Sequence, residues 1–443
     1  MAEIGQGVQF DPGGREAIPK FRYRSTRMSS AATAPEPTDR ARRPKVDLVD
    51  GRTYAARDFH DALRWMRVHE PVYHDAANDL WAVTRHADIM SVSKRSDVFR
   101  NAQGYRPDAA PVPHMIAMDR PAHMVRRNLV NRGFTPRRVA GYEARVREIC
   151  TWILDDVAER GECEFVFDVA ARLPLILIGD MLGVAPEDHD RLLRWSDDLM
   201  RGLVSEDPEK LSAQARAGLE YREYCLRVVA DQRARPPADD LMSVLVHAEI
   251  DGERLDDDSL FFESLLILIG GDETTRHVIS GGLYALLQHP EQLRALREDP
   301  TGIPRAVEEM LRWVSPIQNM MRTSSEDVPL GGHRFRAGDR LLLMYPSGNR
   351  DESVFADPFR FDVTRDPNPH VAFGGRGAHH CLGSSLARLE LRVMFEELLR
   401  RFPDLALATS DPPPLRPANF VVGIEALPVH FSPTRREGGV ARK

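Results

Sequence analysis

One stretch limits the fold of this chain more than any other. Residues 258–289 run for 32 positions without a proline, follow the acids Asp256 and Asp257, begin with Asp258, and stop at Pro290. Acids suit the positive end of a helix, and proline cannot continue one. At 1.5 Å per residue the helix would span roughly 48 Å. Its middle, Leu265-Leu266-Ile267-Leu268-Ile269, is apolar on every face, so the helix should be central and buried.

The rest of the chain is helix-rich around it. Phe59, Leu63, Trp65 and Met66 predict a helix over 58–69, and further helices are expected over 303–314 and from Gly383 to Arg401. Short strands are expected at Val72-Tyr73 and Leu80–Val83. Hairpins are expected over Pro329–Met344, around Gly331-Gly332 and Ala337-Gly338, and a strand and turn over Phe420–Val429. Residues 101–117 hold three prolines and read as loop, with helix resuming from Pro121. There is no βαβ rhythm, no internal repeat and no linker within 46–433. The expectation is one large, mainly α domain with small β-sheets. Residues 1–45 are rich in Gly, Pro, Ser, Ala and Arg and read as a disordered tail, with Met28 an alternative start to Met1. Residues 434–443 read as a flexible C-terminal tail.

Charge and cysteine usage exclude several functions. Sixty basic and 67 acidic residues give a net charge of −7, which argues against nucleic-acid binding by bulk charge. Four cysteines (Cys150, Cys163, Cys225, Cys381) with no C-x-x-C pair exclude a disulfide scaffold and a zinc ribbon. No apolar run suits a secretion signal or a membrane span, so a cytoplasmic monomer is expected. Only five of the 60 cations are lysine, which points to a GC-rich bacterial genome.

Two motifs carry chemistry. In Phe373-Gly-Gly-Arg-Gly-Ala-His379-His380-Cys381-Leu-Gly383 a cysteine follows glycines and precedes a helix. Glycines let backbone pass close to a large flat ligand, and amides at a helix start favour a thiolate, a natural metal ligand. A lone cysteine is more often a core residue, but a chance match at this many positions is rare. Within the long helix, Gly270-Gly271-Asp272-Glu273-Thr274-Thr275 places two glycines where each costs about 1 kcal/mol. Close helix packing and room for a ligand both explain them.

The cysteine loop resembles the haem-binding loop of cytochrome P-450 enzymes, and Gly270–Thr275 resembles their oxygen-activation segment. The resemblance covers about residues 46–433 and implies the cytochrome P-450 fold. It implies Cys381 as axial thiolate ligand of a haem b iron, with Gly383, Gly270 and Gly271 leaving room for haem and O2. It implies Glu273 and Thr274 as an acid–alcohol pair that delivers protons. His123 and Arg127, one helical turn apart, with Arg322 and His379, match contacts to the haem propionates. Glu309 and Arg312 match the E-x-x-R pair, with Arg365 as third member of a structural triad.

The finer resemblance is to actinobacterial enzymes that oxidise the side chain of cholesterol and cholest-4-en-3-one, carried by Leu265–His277 and Leu415–Val429. Hydroxylation of the terminal methyl, with possible continuation to the acid, is what this implies. The five residues Gly374–Ala378 give the longer form of the cysteine loop, similar to other sterol and methyl-branched-lipid side-chain hydroxylases. The expected pocket residues are apolar: Met115, Ile116, Leu266, Ile269, Val314, Met320, Phe420 and Val421. With no flavin or iron–sulfur motif, electrons from NAD(P)H must arrive through a reductase and a ferredoxin. Arg126, Arg127, Arg132, Arg137 and Arg138 span 126–138 without an acid, and Arg376, Arg388 and Arg392 lie near Cys381. Together they are expected to dock an acidic ferredoxin. The alternatives are a hydroxylase of another lipid, terpene or secondary metabolite, a peroxide-driven hydroxylase, and a non-catalytic haem or steroid binder.

Overall fold

The computed structural model describes residues 43–202, 207–238, 240–250 and 252–438. The tail expected over 1–45 lies outside them apart from its last three residues. From Pro44 onward the described chain forms one unit.

The long helix runs Asp257–Gln288, one residue earlier than the sequence suggests, because Asp256 caps it by accepting from Ser259 N–H at 2.7 Å. It packs against Arg172–Met181, Ile303–Val314, Pro208–Arg233 and Ser384–Arg401, so most of its apolar surface is covered, with Leu265, Leu266, Ile269 and Gly270 left partly open. The main core gathers there: Leu260, Leu268, Ile279 and Leu283 meet Leu177, Met310 and Met394. Among the described residues, no helix is long and apolar enough to cross a membrane.

A five-stranded sheet stands to one side. Val72–Asp75 pairs antiparallel with Leu80–Val83, which pairs parallel with Arg340–Leu343. That strand pairs antiparallel with Met321–Ser324, and Phe99–Arg100 closes the edge. The expected hairpin divides in two. Val328–Leu330 turns back on His333–Phe335, while Arg340–Leu343 joins the larger sheet. Of the strand and turn expected over Phe420–Val429, the first part makes only bridges from Val421 to Ile317 and from Ile424 to Leu415, while Pro428–His430 is a strand between Ala406–Leu407 and Glu162–Glu164.

The flexible tail expected over 434–443 is tied down through Gly438. Thr434 N–H donates to Ala158 O at 2.8 Å, and the Glu437 and Gly438 amides donate to the buried Asp155 carboxylate at 2.9 and 2.8 Å. Residues 439–443 lie outside the described residues.

Candidate haem and oxygen site

Cys381 lies between a turn and the helix Ser384–Arg401. The turn is closed by Cys381 N–H donating to Phe373 O at 2.9 Å, with Gly374 in the left-handed region at φ 87°. Its side chain is exposed, unlike those of Cys150 and Cys225. Yet protein surrounds it closely enough that burial raises the thiol, against the pull of Gly383 N–H, Arg127 and Arg388. Helix-start amides therefore do not hold a thiolate by themselves, and a bound metal ion would have to complete the deprotonation.

The loop's other glycines answer to a different neighbour. A Cβ at Gly375 or Gly377 would collide with Ser93 on the helix His86–Lys94, so their close approach is to protein. The expected glycine pair also divides. A Cβ at Gly271 would sit 2.6 Å from Ile178 Cδ1, which is close helix packing. One at Gly270 meets nothing within 4 Å. Gly270 is exposed in the middle of a buried helix, and Thr274, one turn on, donates its hydroxyl to Gly270 O at 3.0 Å.

Four basic side chains converge from three segments. His123 and Arg127 stand on the helix Ala122–Asn131, Arg322 on the strand Met321–Ser324, and His379 on the cysteine loop. The His123 and His379 rings stack at 3.9 Å. Burial, then the nearby arginines, push His123 down to about 4. Burial, then Arg322, His123 and Arg127, push His379 down to about 2. Asp119 acts on His123 and Arg322 but is a single acid among this set. His123 Nδ1 is buried without a hydrogen-bond partner. An unbalanced basic cluster with an orphaned donor or acceptor is chemically suited to carboxylates. With an exposed thiol and an open glycine on the central helix, the residues present fit a haem with its two propionates.

Glu273 and Thr274 part company despite being adjacent. Thr274 is half-buried, whereas Glu273 is fully buried. Its carboxylate pairs with Arg276 and with Arg416 at 3.0 Å, while His277, whose charged form burial and those arginines disfavour, stands beside it. Next to it, Asp272 accepts from Ser196 at 2.7 Å and acts through space on Glu390 of the cysteine-loop helix. Burial raises both acids, and Asp272 Oδ1 and Glu390 Oε2 have no partner. Arg416, Asp272 and Glu390 escaped the sequence reading. Buried acids within apolar helical runs were the available signal.

Glu309 and Arg312 are both 0% exposed and joined by two 2.7 Å bonds, and Arg365 Nε reaches Glu309 at 3.1 Å. The bidentate i,i+3 pair is buried rather than decorative. Of the expected pocket residues, Ile116, Leu266, Ile269, Val314, Met320 and Phe420 keep partial exposure. Met115 and Val421 are buried, and Val314 packs where a Cβ on Gly281 would be, so packing occupies them more than an open lining does. Tyr105 and His114, not singled out from sequence, sit beside Phe420 in a chain of rings at 5.9 and 5.4 Å.

The expected basic docking face is smaller than the sequence suggests. Arg126 points inward to Glu263 at 3.3 Å and is 14% exposed. Arg127 donates to His380 O. Arg388 pairs with Glu308, and Arg392 with Glu143 and Glu396. Sequence neighbours held no acid, but the fold brings acids from other segments. Arg132, Arg137 and Arg376 remain exposed.

A family model described as Cytochrome P450 matches residues 187–431. A steroid C26-monooxygenase of Mycolicibacterium smegmatis is 50% identical over 393 residues, 88% of this chain and 97% of that protein. A methyl-branched lipid omega-hydroxylase of Mycobacterium tuberculosis is 38% identical over 87% of this chain and 92% of its own length. The solved structure of a Mycobacterium marinum cytochrome P450 in complex with pseudoionone superposes with a TM-score of 0.82 at 36% identity, covering 88% of this chain and 99% of that one. A thiol before the helix Ser384–Arg401, an open glycine on the central helix and a cluster of basic side chains thus occur in a chain that matches such enzymes over most of its length: it belongs to the cytochrome P450 family and is a monooxygenase that uses haem iron, O2 and external electrons.

Proposed function

We propose that this enzyme hydroxylates the terminal methyl of a sterol side chain, with cholesterol or cholest-4-en-3-one as substrate, and carries the product on to the acid. The observation that carries this reading is the 50% identity to a steroid C26-monooxygenase over 88% of the chain. Partly exposed Leu266, Ile269 and Phe420 support it, since apolar walls suit a lipid tail that offers no charge to grip.

Bound haem supplies the oxidising chemistry, inserting one atom of O2 into a C–H bond and releasing the other as water. Cys381 would ligate its iron, and His123, Arg127, Arg322 and His379 would hold its propionates. An anion there would offset the arginine repulsion that, after burial, depresses both histidines. Gly270 leaves space at the reacting face, and Thr274 presents a hydroxyl beside it. Glu273 is paired with Arg276 and Arg416, so it can pass a proton toward Thr274 only by loosening that cluster. Electrons from NAD(P)H would come through a reductase and a ferredoxin docked on Arg132, Arg137 and Arg376.

The test is a spin-state titration of the haem-loaded enzyme with cholest-4-en-3-one, a branched fatty acid and a terpene, followed by product analysis with a ferredoxin system. A shift and terminal hydroxylation with the steroid are expected. A shift with only the fatty acid or terpene would overturn the substrate class. A Thr274→Ala variant should consume reductant with little product. Undiminished product would remove the proton role of Thr274.

A further inference from the structure

Glu263 stands alone as an acid in the apolar run Phe261-Phe262-Glu263-Ser264-Leu265-Leu266, about two turns before Gly270. It is fully buried. Its Oε1 accepts from Met115 N–H at 2.9 Å and from Arg126 at 3.3 Å. Arg126 is braced in turn by Ser259 Oγ at 3.3 Å. Oε2 is buried and has no partner. Three segments thus meet at one carboxylate: the central helix, the helix that carries His123 and Arg127, and the loop that carries Met115 and Ile116.

We propose that Glu263 is a positioning residue, a latch that holds the 101–117 loop against the central helix and releases it when the carboxylate ionises fully.

Among the described residues, the loop's other hydrogen bonds do not reach the central helix. Asn101 bonds Ile116 O and Asp119, Tyr105 O accepts from Met321 N–H, and Arg106 pairs with Asp108. The bond from Met115 N–H to Glu263 is therefore the hydrogen bond that ties this loop to the central helix, beside the apolar packing of Met115. An ionised carboxylate here has one cation and one amide as partners and an oxygen left bare, a poor exchange for water. The charged groups involved are Arg126, from the His123 helix, and Asp256, at the start of the central helix, which acts on Arg126. His114, beside Met115, is pushed down to about 4 by burial and stays neutral above that.

Burial raises Glu263 to about 7, against the pull of Arg126 and the Met115 amide. Freed into water it would return to its ordinary value of 4.5. The latched state thus binds the proton more tightly than the open one. Its advantage is complete below 4.5 and is lost as the pH rises through 7. The latch equilibrium should fall roughly tenfold between pH 6 and pH 8.

The experiment is amide hydrogen exchange across residues 101–117 in the haem-loaded enzyme without substrate, each rate normalised to the intrinsic rate at that pH. This readout does not depend on which lipid the enzyme oxidises. Protection should fall roughly tenfold from pH 6 to pH 8. Glu263→Gln, which keeps an acceptor for Met115 but cannot ionise, should flatten the profile. Arg126→Met removes the stabilising cation and should move the loss of protection to lower protection overall and higher pH. A flat wild-type profile, or an unchanged slope in Glu263→Gln, would overturn the proposal.

Discussion

Removal of the Glu309 carboxylate tests the buried network most directly. Glu309 accepts five hydrogen bonds: two from Arg312 at 2.7 Å, one from Arg365 at 3.1 Å, one from the Asp362 amide at 2.9 Å and one from Asn368 at 3.1 Å. Arg312 is 0% exposed, and its other partners are carbonyls of Asn349, Pro358 and Arg360. In Glu309→Leu the guanidinium stays buried among dipoles with no anion, which costs about 3–5 kcal/mol. In Arg312→Leu the carboxylate keeps Arg365, the amide and Asn368, so the loss is nearer 2–3 kcal/mol. The double variant removes both charges and should cost less than the sum of the singles by about 1–3 kcal/mol. For roughly 390 ordered residues, an unfolding entropy of about 2.1 cal/mol/K per residue makes each kcal/mol worth about 1.2 °C. Glu309→Leu should therefore lower the midpoint by about 4–6 °C. Thermal unfolding of the haem-loaded enzyme, followed by helix circular dichroism and by haem absorbance, reads this. Strict additivity of the two singles, or a larger loss in Arg312→Leu than in Glu309→Leu, would refute the reasoning.

Other outcomes follow from the same geometry. Gly271→Ala should lose about 1–3 kcal/mol by crowding Ile178, partly offset by a better helix former, whereas Gly270→Ala should keep or slightly raise stability while weakening substrate turnover; thermal midpoints and steady-state rates separate the two. Glu390 is raised by burial in the folded state, so folding is penalised as pH rises above the ordinary carboxylate range. Glu390→Gln should accordingly gain midpoint relative to wild type between pH 5 and pH 8, and a constant difference would contradict this. Reversing the exposed Arg132 and Arg137 to Glu should slow reduction by ferredoxin steeply at low salt and little at high salt, as stopped-flow traces would show.

Much of the site was legible because its signals are local. E-x-x-R at 309–312 is one helical turn, and the pair forms within it. His123 and Arg127 share a helix face by their spacing alone. Cys381 was marked by its glycines, although only Gly374 has the left-handed backbone that a turn requires. Gly375 and Gly377 are small because of Ser93, a residue far away in sequence. The arginine run at 126–138 misled for the same reason. Arg126 meets Glu263 across 137 positions, so a window free of acids said nothing about its partner.

The long buried helix, its acidic cap, the order of the motifs and the spacing of the local ion pairs depend on neighbours within a turn or two and can be read from the residues alone. Which glycine faces open space, which arginines face solvent and what balances each buried acid depend on segments that meet only in the folded chain. Glu273 finds Arg416 across 143 positions, and Met115 finds Glu263 across 148. Burial and charge compensation are set by what packs alongside, and no local pattern records that.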